Sequence, residues 1–217
     1  MPNVLSEQYH LAIYVIRNPA YRYPVKKYQL AIALLSIMSG LTLAQPTDSL
    51  TSDPLGPENP VQNIALSNAD RSWRPTSSQR QEIERLTLAY FSAKDANRYE
   101  DAYRYLDSRQ QQSLSRDVFE QMTAELNQTA GKVIGTSLRA VTWYKDTPQA
   151  GPGLYVAVDY SRSRERLALN CGYIVLHEQP DNSFLILREE MNVIDKQMME
   201  KISPAAFEEI QRQFKCK

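Results

Sequence analysis

The sequence has little of the chemistry on which metal centres and many active sites are built. Its 217 residues include only two histidines and two cysteines. Structural zinc sites and iron–sulfur clusters usually need about four cysteine or histidine ligands, so we expect no metal. The sequence also lacks a GxxxxGK[ST] phosphate loop, an HExxH zinc helix, a CxxC pair and a GxSxG elbow. We therefore predict no cofactor, and no reaction follows from a motif.

An excess of charge of either sign is also missing. The chain has 25 basic and 25 acidic residues, with 42% hydrophobic side chains. This composition is typical of a globular protein and excludes a disordered tail or a multi-span membrane protein. Because the chain has no global positive field to neutralise phosphates, we expect no nucleic-acid partner.

A targeting signal is present near the N-terminus. Lys26 and Lys27 precede an apolar run over residues 30–43, which ends at Ala44. This order predicts a bacterial secretory signal peptide over residues 1–44. Residues 1–24 would make an unusually long segment before the lysines, so we interpret them as an extension from a misassigned start codon. A membrane anchor is the alternative, but the run is shorter than the roughly 20 residues that span a bilayer. We expect a periplasmic or secreted protein that meets the membrane only transiently, through this peptide.

The remaining chain divides into a leader and a single domain. Residues 45–75 hold five prolines and no sustained apolar period, which predicts a flexible leader. Thr76 stands three residues before Gln79, the spacing of a helix capping box, and predicts that an α+β domain begins there and fills residues 76–217.

The first half of this domain has helical periodicity and the second half has strand periodicity. We predict a first helix with an apolar stripe widened by Leu88 and Phe91, a short helix over 99–106 and a third over 115–128. Alternating residues then predict four strands over 132–145, 154–161, 167–178 and 184–194. Short turns join these strands, so they should form an antiparallel meander, followed by a C-terminal helix over 204–214.

This order of elements resembles two known families. A long helix, a short helix bearing Tyr99 and Tyr103, a third helix and an antiparallel sheet are similar to domains built like nuclear transport factor two. More narrowly, residues 89–91, the helix start at 115–119 and the late strand 187–190 look like the bacterial exported domain of unknown function numbered four thousand and nineteen. The resemblance covers residues 76–194. It implies a cone-like fold whose curved sheet surrounds a pocket, an exported location and no assigned reaction or catalytic residues.

The two cysteines are predicted to pair. Cys171 lies in the third predicted strand and Cys216 is next to last in the chain. An even cysteine count in an exported protein favours a disulfide, which would fix the C-terminal helix against the sheet.

Few residues are candidates for catalysis. His177 is the only histidine outside the N-terminal segment, and Asp159 interrupts an apolar strand. Either could transfer a proton if it faced the pocket. We expect instead that His177 lies at the sheet margin, that Asp159 is solvated or paired with an arginine, and that the pocket is aromatic and nearly uncharged.

Three arginines alternate in the predicted hairpin after the second strand. Arg162, Arg164 and Arg166 could project from one side as a contact for a partner, or form a charged tip that discourages edge pairing. We interpret the whole as an exported, non-catalytic module that binds a small ligand or an envelope protein. The alternatives are a small cofactor-free isomerase or hydratase using Asp159 or His177, and a structural partner of an envelope complex.

The signal peptide gives the first testable prediction. Protein isolated from the producing cell should have the intact mass of a chain that begins at Gln45, because cleavage should follow Ala44. Intact-mass spectrometry of that protein checks this, and a mass that retains residues 30–43 would favour a membrane anchor instead.

Overall fold

A computed structural model describes residues 60–66, 71–148 and 150–216. The predicted signal peptide and residues 45–59 of the predicted leader lie outside the described residues. The described chain is an α+β domain of five strands and six helices. In chain order these are β1 (Val61–Leu66), α1 (Ser77–Asp95), α2 (Tyr99–Tyr103), α3 (Ser108–Ser113), α4 (Arg116–Ala130), β2 (Val133–Thr147), β3 (Gly151–Arg164), β4 (Leu167–Glu178), β5 (Phe184–Asp195), α5 (Lys196–Met199) and α6 (Pro204–Gln213).

The sheet is mixed and has five strands, in the order β1-β2-β3-β4-β5. The predicted antiparallel meander is present as β2 to β5. The prediction of four strands is wrong, because β1 pairs in parallel with β2 and lies within the segment predicted to be a flexible leader. Its buried Gln62 accepts a hydrogen bond from the indole Nε1 of Trp143 at 2.9 Å. This contact between residues distant in the sequence holds a strand that has no strong local signal of its own.

Local capping interactions begin the helices where the sequence predicted. The Thr76 hydroxyl accepts from the Gln79 backbone at 3.1 Å, and the Gln79 side chain accepts from the Thr76 backbone at 2.9 Å, which completes the capping box of α1. Ser115 and Ser203 cap α4 and α6. Two short helices were not predicted, α3 and α5, and each is capped by an aspartate, Asp107 and Asp195.

The main core lies between the helices and one face of the sheet, which we call the inner face. Phe91 of α1 meets Tyr160 of β3 edge to face, with ring centroids 4.7 Å apart. The predicted alternation of β3 is present, since every second residue of its central part is buried. Leu88 was expected to widen the apolar stripe of α1, but it is 44% exposed because Thr87 and Phe91 fill the adjacent core positions. The largest fully buried side chains are Trp143, Tyr90, Tyr160, Phe91, Ile83, Ile174, Leu176 and Ile186.

A second, smaller core covers the opposite, outer face near the start of β4. It joins Leu169, Cys171 and Ile194 to apolar side chains of α5 and α6. The structure contains the predicted Cys171–Cys216 disulfide, with the two Cα atoms 5.6 Å apart. The bridge fixes the end of the chain to β4, and apolar packing of Phe207, Ile210 and Phe214 completes this attachment.

An irregularity in β5 decides which of its residues face inward. The pairing of β4 with β5 shifts between Val175 and Leu176, so Ile186 pairs with Leu176 but Glu189 pairs with Ile174. Because Ile174 and Leu176 are both inner-face residues, Glu189 also faces inward. Gly172 is required beside this segment, since a Cβ at its position would lie 2.0 Å from the Glu190 carbonyl oxygen.

The disulfide gives a stability prediction. Cys171 and Cys216 are 45 positions apart, and closing a loop of that length stabilises a fold by about 4 kcal/mol in the chain-entropy model. A Cys171→Ala/Cys216→Ala variant should therefore unfold at a lower urea concentration, with a free energy of unfolding about 2–4 kcal/mol below that of the oxidised protein.

Chemical labelling provides the control for that measurement. Alkylation of the unfolded, unreduced protein should add no label, and reduction should then expose two thiols. Two free thiols in protein taken from an oxidising compartment would contradict the bridge.

Candidate functional site

A group of charged side chains lies under the inner face, where α1 ends against β3 and β5. We call this group the inner polar cluster; its members are Tyr90, Lys94, Asp95, Arg162, Arg164 and Glu189. Lys94 Nζ lies 2.8 Å from Glu189 Oε2 and 2.9 Å from Oε1. Tyr90 Oη donates to Glu189 Oε2 at 2.5 Å. The Lys94 and Glu189 side chains are only 7% and 17% exposed, so this ion pair is largely shielded from water.

Two arginines share one carboxylate in the other half of the cluster. Arg162 donates to Asp95 Oδ2, and Arg164 Nη2 lies 3.3 Å from Asp95 Oδ1. Arg164 also donates to Asn127 Oδ1 at 3.2 Å and to the Gly131 carbonyl at 3.1 Å. The Arg162 guanidinium lies over the Phe91 ring, 4.7 Å from its centroid. Side chains from α1, α4 and β3 therefore meet around Asp95.

This arrangement corrects two predictions. Arg162, Arg164 and Arg166 do not form one exposed row, because β3 continues through Arg164 and turns its even-numbered residues toward α1 and α4. Of the three, only Arg166 is exposed, and it donates to the Gln128 carbonyl at 2.9 Å. The inner face is also not nearly uncharged, since it holds three cations, Lys94, Arg162 and Arg164, against the two carboxylates of Asp95 and Glu189.

Burial and ion pairing act in opposite directions on these groups. Burial alone would raise the pKa of Glu189, but the Lys94 ammonium and the Tyr90 hydroxyl together hold it below its usual value. Burial raises the pKa values of Tyr90 and Tyr160 well above 10.0, and the Glu189 charge adds to both shifts. Burial lowers the pKa of Arg164, and the charge of Arg162 lowers it further. The tyrosines are therefore neutral donors, and Glu189 is a carboxylate.

Asp159 lies outside this cluster. Its strand neighbours Val158 and Tyr160 face the inner core, so Asp159 points to the outer face. Burial raises its pKa, and the charges of Arg139 and Lys215 counteract that shift. The structure therefore places Asp159 among positive groups on the outer face, away from the carboxylates of the inner polar cluster.

His177 also lies on the outer face, near the end of β4. Its ring stacks on Tyr155 with centroids 4.5 Å apart. Its Nδ1 lies 3.0 Å from Arg109 Nη2 and 3.3 Å from Gln179 Nε2. Because arginine can only donate, Nδ1 is the acceptor and the ring proton is assigned to Nε2. Asp107 holds Arg109 through Oδ1 at 3.0 Å, which fixes the guanidinium beside the histidine.

The structure does not bring the two candidate catalytic residues together. Both lie on the outer face, but Asp159 is four residues along β3 from Tyr155, the residue that stacks on His177, which is about 13 Å of strand. In residues 60–66, 71–148 and 150–216 no group of three or more potential metal ligands occurs. No helix within those ranges is long and apolar enough to cross a membrane.

Part of the inner polar cluster could be inferred from the sequence. Lys94 and Asp95 end the apolar pattern of the first helix, and strand alternation over residues 188–190 puts Glu189 on the face opposite its two neighbours. Their partners could not be inferred, because Lys94 and Glu189 are 95 positions apart and meet only after the strands pair. The position of Lys94 in line with the apolar stripe of the first helix was the feature that could have indicated a buried ion pair.

The fold and the cluster define an α+β domain with buried ion pairs between its helices and its sheet. Residues 87–187 match the family model described as "Protein of unknown function (DUF4019)". This segment is therefore a domain of that family, and the match confirms the narrower of the two resemblances. No curated protein and no solved structure matches the chain. The broader likeness to nuclear transport factor two remains a prediction.

The Lys94–Glu189 pair gives a pH-dependent prediction. A Glu189→Gln variant should lose about 2–4 kcal/mol of unfolding free energy near pH 7, because it leaves the Lys94 charge buried without its partner. The folded-state pKa of Glu189 is lowered, so its contribution is present above the unfolded value of about 4.3 and is lost as the pH falls through the folded value. Urea unfolding from pH 7 down to about pH 3 should show the two proteins converging.

Glu82→Gln is the matched control. Glu82 pairs with Arg85 on the exposed side of α1, and an exposed pair contributes less than about 1 kcal/mol. Equal losses in the two variants, or a Glu189→Gln loss that does not change with pH, would contradict the assignment.

Proposed function

We propose that this protein is an exported, non-catalytic binding module whose binding site is the inner polar cluster. The observation that supports this proposal is the charge imbalance: three cations, whose side chains are at most 7% exposed, face two carboxylates. An uncompensated buried charge is costly, so a ligand that supplies the missing charge would be favoured there.

The groups of the cluster suit binding better than proton transfer. A general acid or base works best with a pKa near the operating pH. Arginine stays charged in proteins, the pKa of Glu189 is shifted down, and those of Tyr90 and Tyr160 are shifted up. The pKa values of Glu189 and the two tyrosines are thus shifted away from pH 7, whereas fixed guanidinium donors are well suited to hold an anionic group.

The disulfide supports the exported part of the proposal. Structural disulfides persist in oxidising compartments and are rare in the bacterial cytosol, which agrees with the predicted signal peptide. Binding of a partner protein through the arginine hairpin has less support. Arg162 and Arg164 are only 6% and 2% exposed, and both form ion pairs with Asp95.

A small cofactor-free enzyme is the second candidate. One observation favours it: Arg109 and Gln179 orient the His177 ring through Nδ1, which leaves the Nε2 side for proton exchange. The ring stacks on Tyr155 on the outer face, and the Asp107 carboxylate lies 3.7 Å from its Nδ1 atom. This candidate would use His177 or Asp159 and not the arginines, so variants separate the two functions.

Ligand-observed NMR on the exported protein would test the proposal. Saturation transfer would be recorded with separate pools of anionic, cationic and neutral small molecules. We expect transfer to members of the anionic pool, and we expect it to be lost in an Arg162→Gln variant, because that residue holds part of the positive site.

Arg166→Gln is the control, since it removes an exposed arginine from the same hairpin and should bind as wild type does. Circular dichroism would establish that both variants are folded. Binding that is unchanged in a folded Arg162→Gln protein would contradict this site. Turnover of a pool member that His177→Gln or Asp159→Asn abolishes would favour the enzyme.

A further inference from the structure

Asn170 of β4 is a buried amide without a partner. Its side chain is 3% exposed, and neither Nδ2 nor Oδ1 has a hydrogen-bond partner among the described residues. It has the same parity on β4 as Ile174 and Leu176, so it faces inward. An unsatisfied buried amide costs about 1–3 kcal/mol, which indicates that something else occupies its hydrogen bonds.

Asn170 lies beside the arginines of the inner polar cluster. The antiparallel pairing of β3 and β4 places Ser161 opposite Cys171. Continuing this register by one residue sets Asn170 opposite Arg162, on the face that also carries Arg164. The Nε atom of Arg164 is likewise buried without a partner in the part of the chain that the structure describes. Unused donors from two neighbouring strands therefore lie in one region.

The ionic balance of this region is incomplete. Arg162 and Arg164 have one carboxylate between them, Asp95, while Lys94 and Glu189 neutralise each other. Their side chains are 2% and 1% exposed, so water cannot screen the remaining charge efficiently. The lowered pKa of Arg164 has the same origin, since burial and the charge of Arg162 are its two largest causes.

We infer that the inner polar cluster binds one small monovalent anion between Arg162, Arg164 and Asn170. The inference rests on the proposed binding function and names its ligand class. A single negative charge balances the region, and the anion accepts from Arg164 Nε and Asn170 Nδ2. The Asn170 Oδ1 atom then accepts from a water molecule that accompanies the anion. A divalent anion would overcompensate, and water alone would satisfy the amide without neutralising the charge.

A halide ion and a carboxylate group both carry one negative charge and accept hydrogen bonds, so either could fill this site. Comparing a chloride salt with an acetate salt distinguishes them. Thermal unfolding of the full chain would be followed in potassium chloride and in potassium acetate, each diluted at constant ionic strength into potassium sulfate, whose divalent anion should not fit the site. We expect the melting temperature to begin rising near the dissociation constant of the anion and then to increase by about 5–10 °C for each further hundredfold increase in anion concentration. The salt whose effect begins at the lower concentration identifies the preferred group.

Asn170→Asp is the informative variant, because it places the missing charge within the protein. It should remove the logarithmic rise of the melting temperature with either anion, leaving only the general effect of each salt. Arg166→Gln keeps the site and should respond as wild type does. If Asn170→Asp does not fold, Asn170→Leu serves instead, since it removes the amide donor and should weaken the anion response.

A crystal soaked in bromide gives a second measurement that does not depend on stability. An anomalous peak within hydrogen-bond distance of Arg164 Nε and Asn170 Nδ2 would support the inference. The inference would be overturned if the melting temperatures of wild type and Asn170→Asp rose equally with anion concentration, or if the crystal showed only a water molecule beside Asn170. The NMR experiment distinguishes this failure from failure of the proposed function. If the anion site is overturned but Arg162→Gln still abolishes binding of the anionic pool, the proposed function stands. If no pool member binds, the proposed function fails as well.

Discussion

The compensation of buried charge is the constraint on which the placement of the helices depends. Asp95 at the end of α1 must meet the guanidiniums of β3, and Lys94 one residue earlier must reach Glu189 on β5. Asn127 adds α4, since its Nδ2 donates to the Lys94 carbonyl at 2.7 Å while its Oδ1 accepts from Arg164. Apolar packing would tolerate a sliding helix, whereas a buried charge without its partner is strongly destabilising. These contacts therefore fix the register of two helices on the sheet.

The sheet adapts to this constraint through the irregularity of β5. Without the shift at Leu176, strict alternation from Ile186 would turn Arg188 inward and Glu189 outward. The extra residue reverses this, so Glu189 reaches Lys94 and Arg188 pairs with Glu190 outside. The displaced strand comes close to β4 at Gly172, where only glycine fits, and Tyr160 donates to the Glu190 carbonyl at 3.3 Å. The extra residue in β5 therefore determines that the Glu189 carboxylate faces the helices.

Features set by neighbouring residues could be predicted from the sequence, and features set by distant partners could not. The Thr76 capping box and the alternation of β3 are local, and both are present as predicted. Strand β1 was assigned to a flexible leader because its anchor is the indole of Trp143, 81 positions away. The arginines were expected at a hairpin tip for a related reason: alternation shows that they share a face, but only the position of Asp95 shows that this face is buried.

The location of the cluster also explains why the disulfide matters beyond the C-terminal helix. Cys171 and Asn170 are consecutive on β4 and point to opposite faces. The bridge and the small outer core therefore hold the strand from behind at the residue that faces the arginines. Because a binding site gains affinity when its groups need no reordering, a strand fixed at this point would lower the cost of ordering the proposed site. The outer face thus supports the strand, and the inner face carries the charged residues from which that site is proposed.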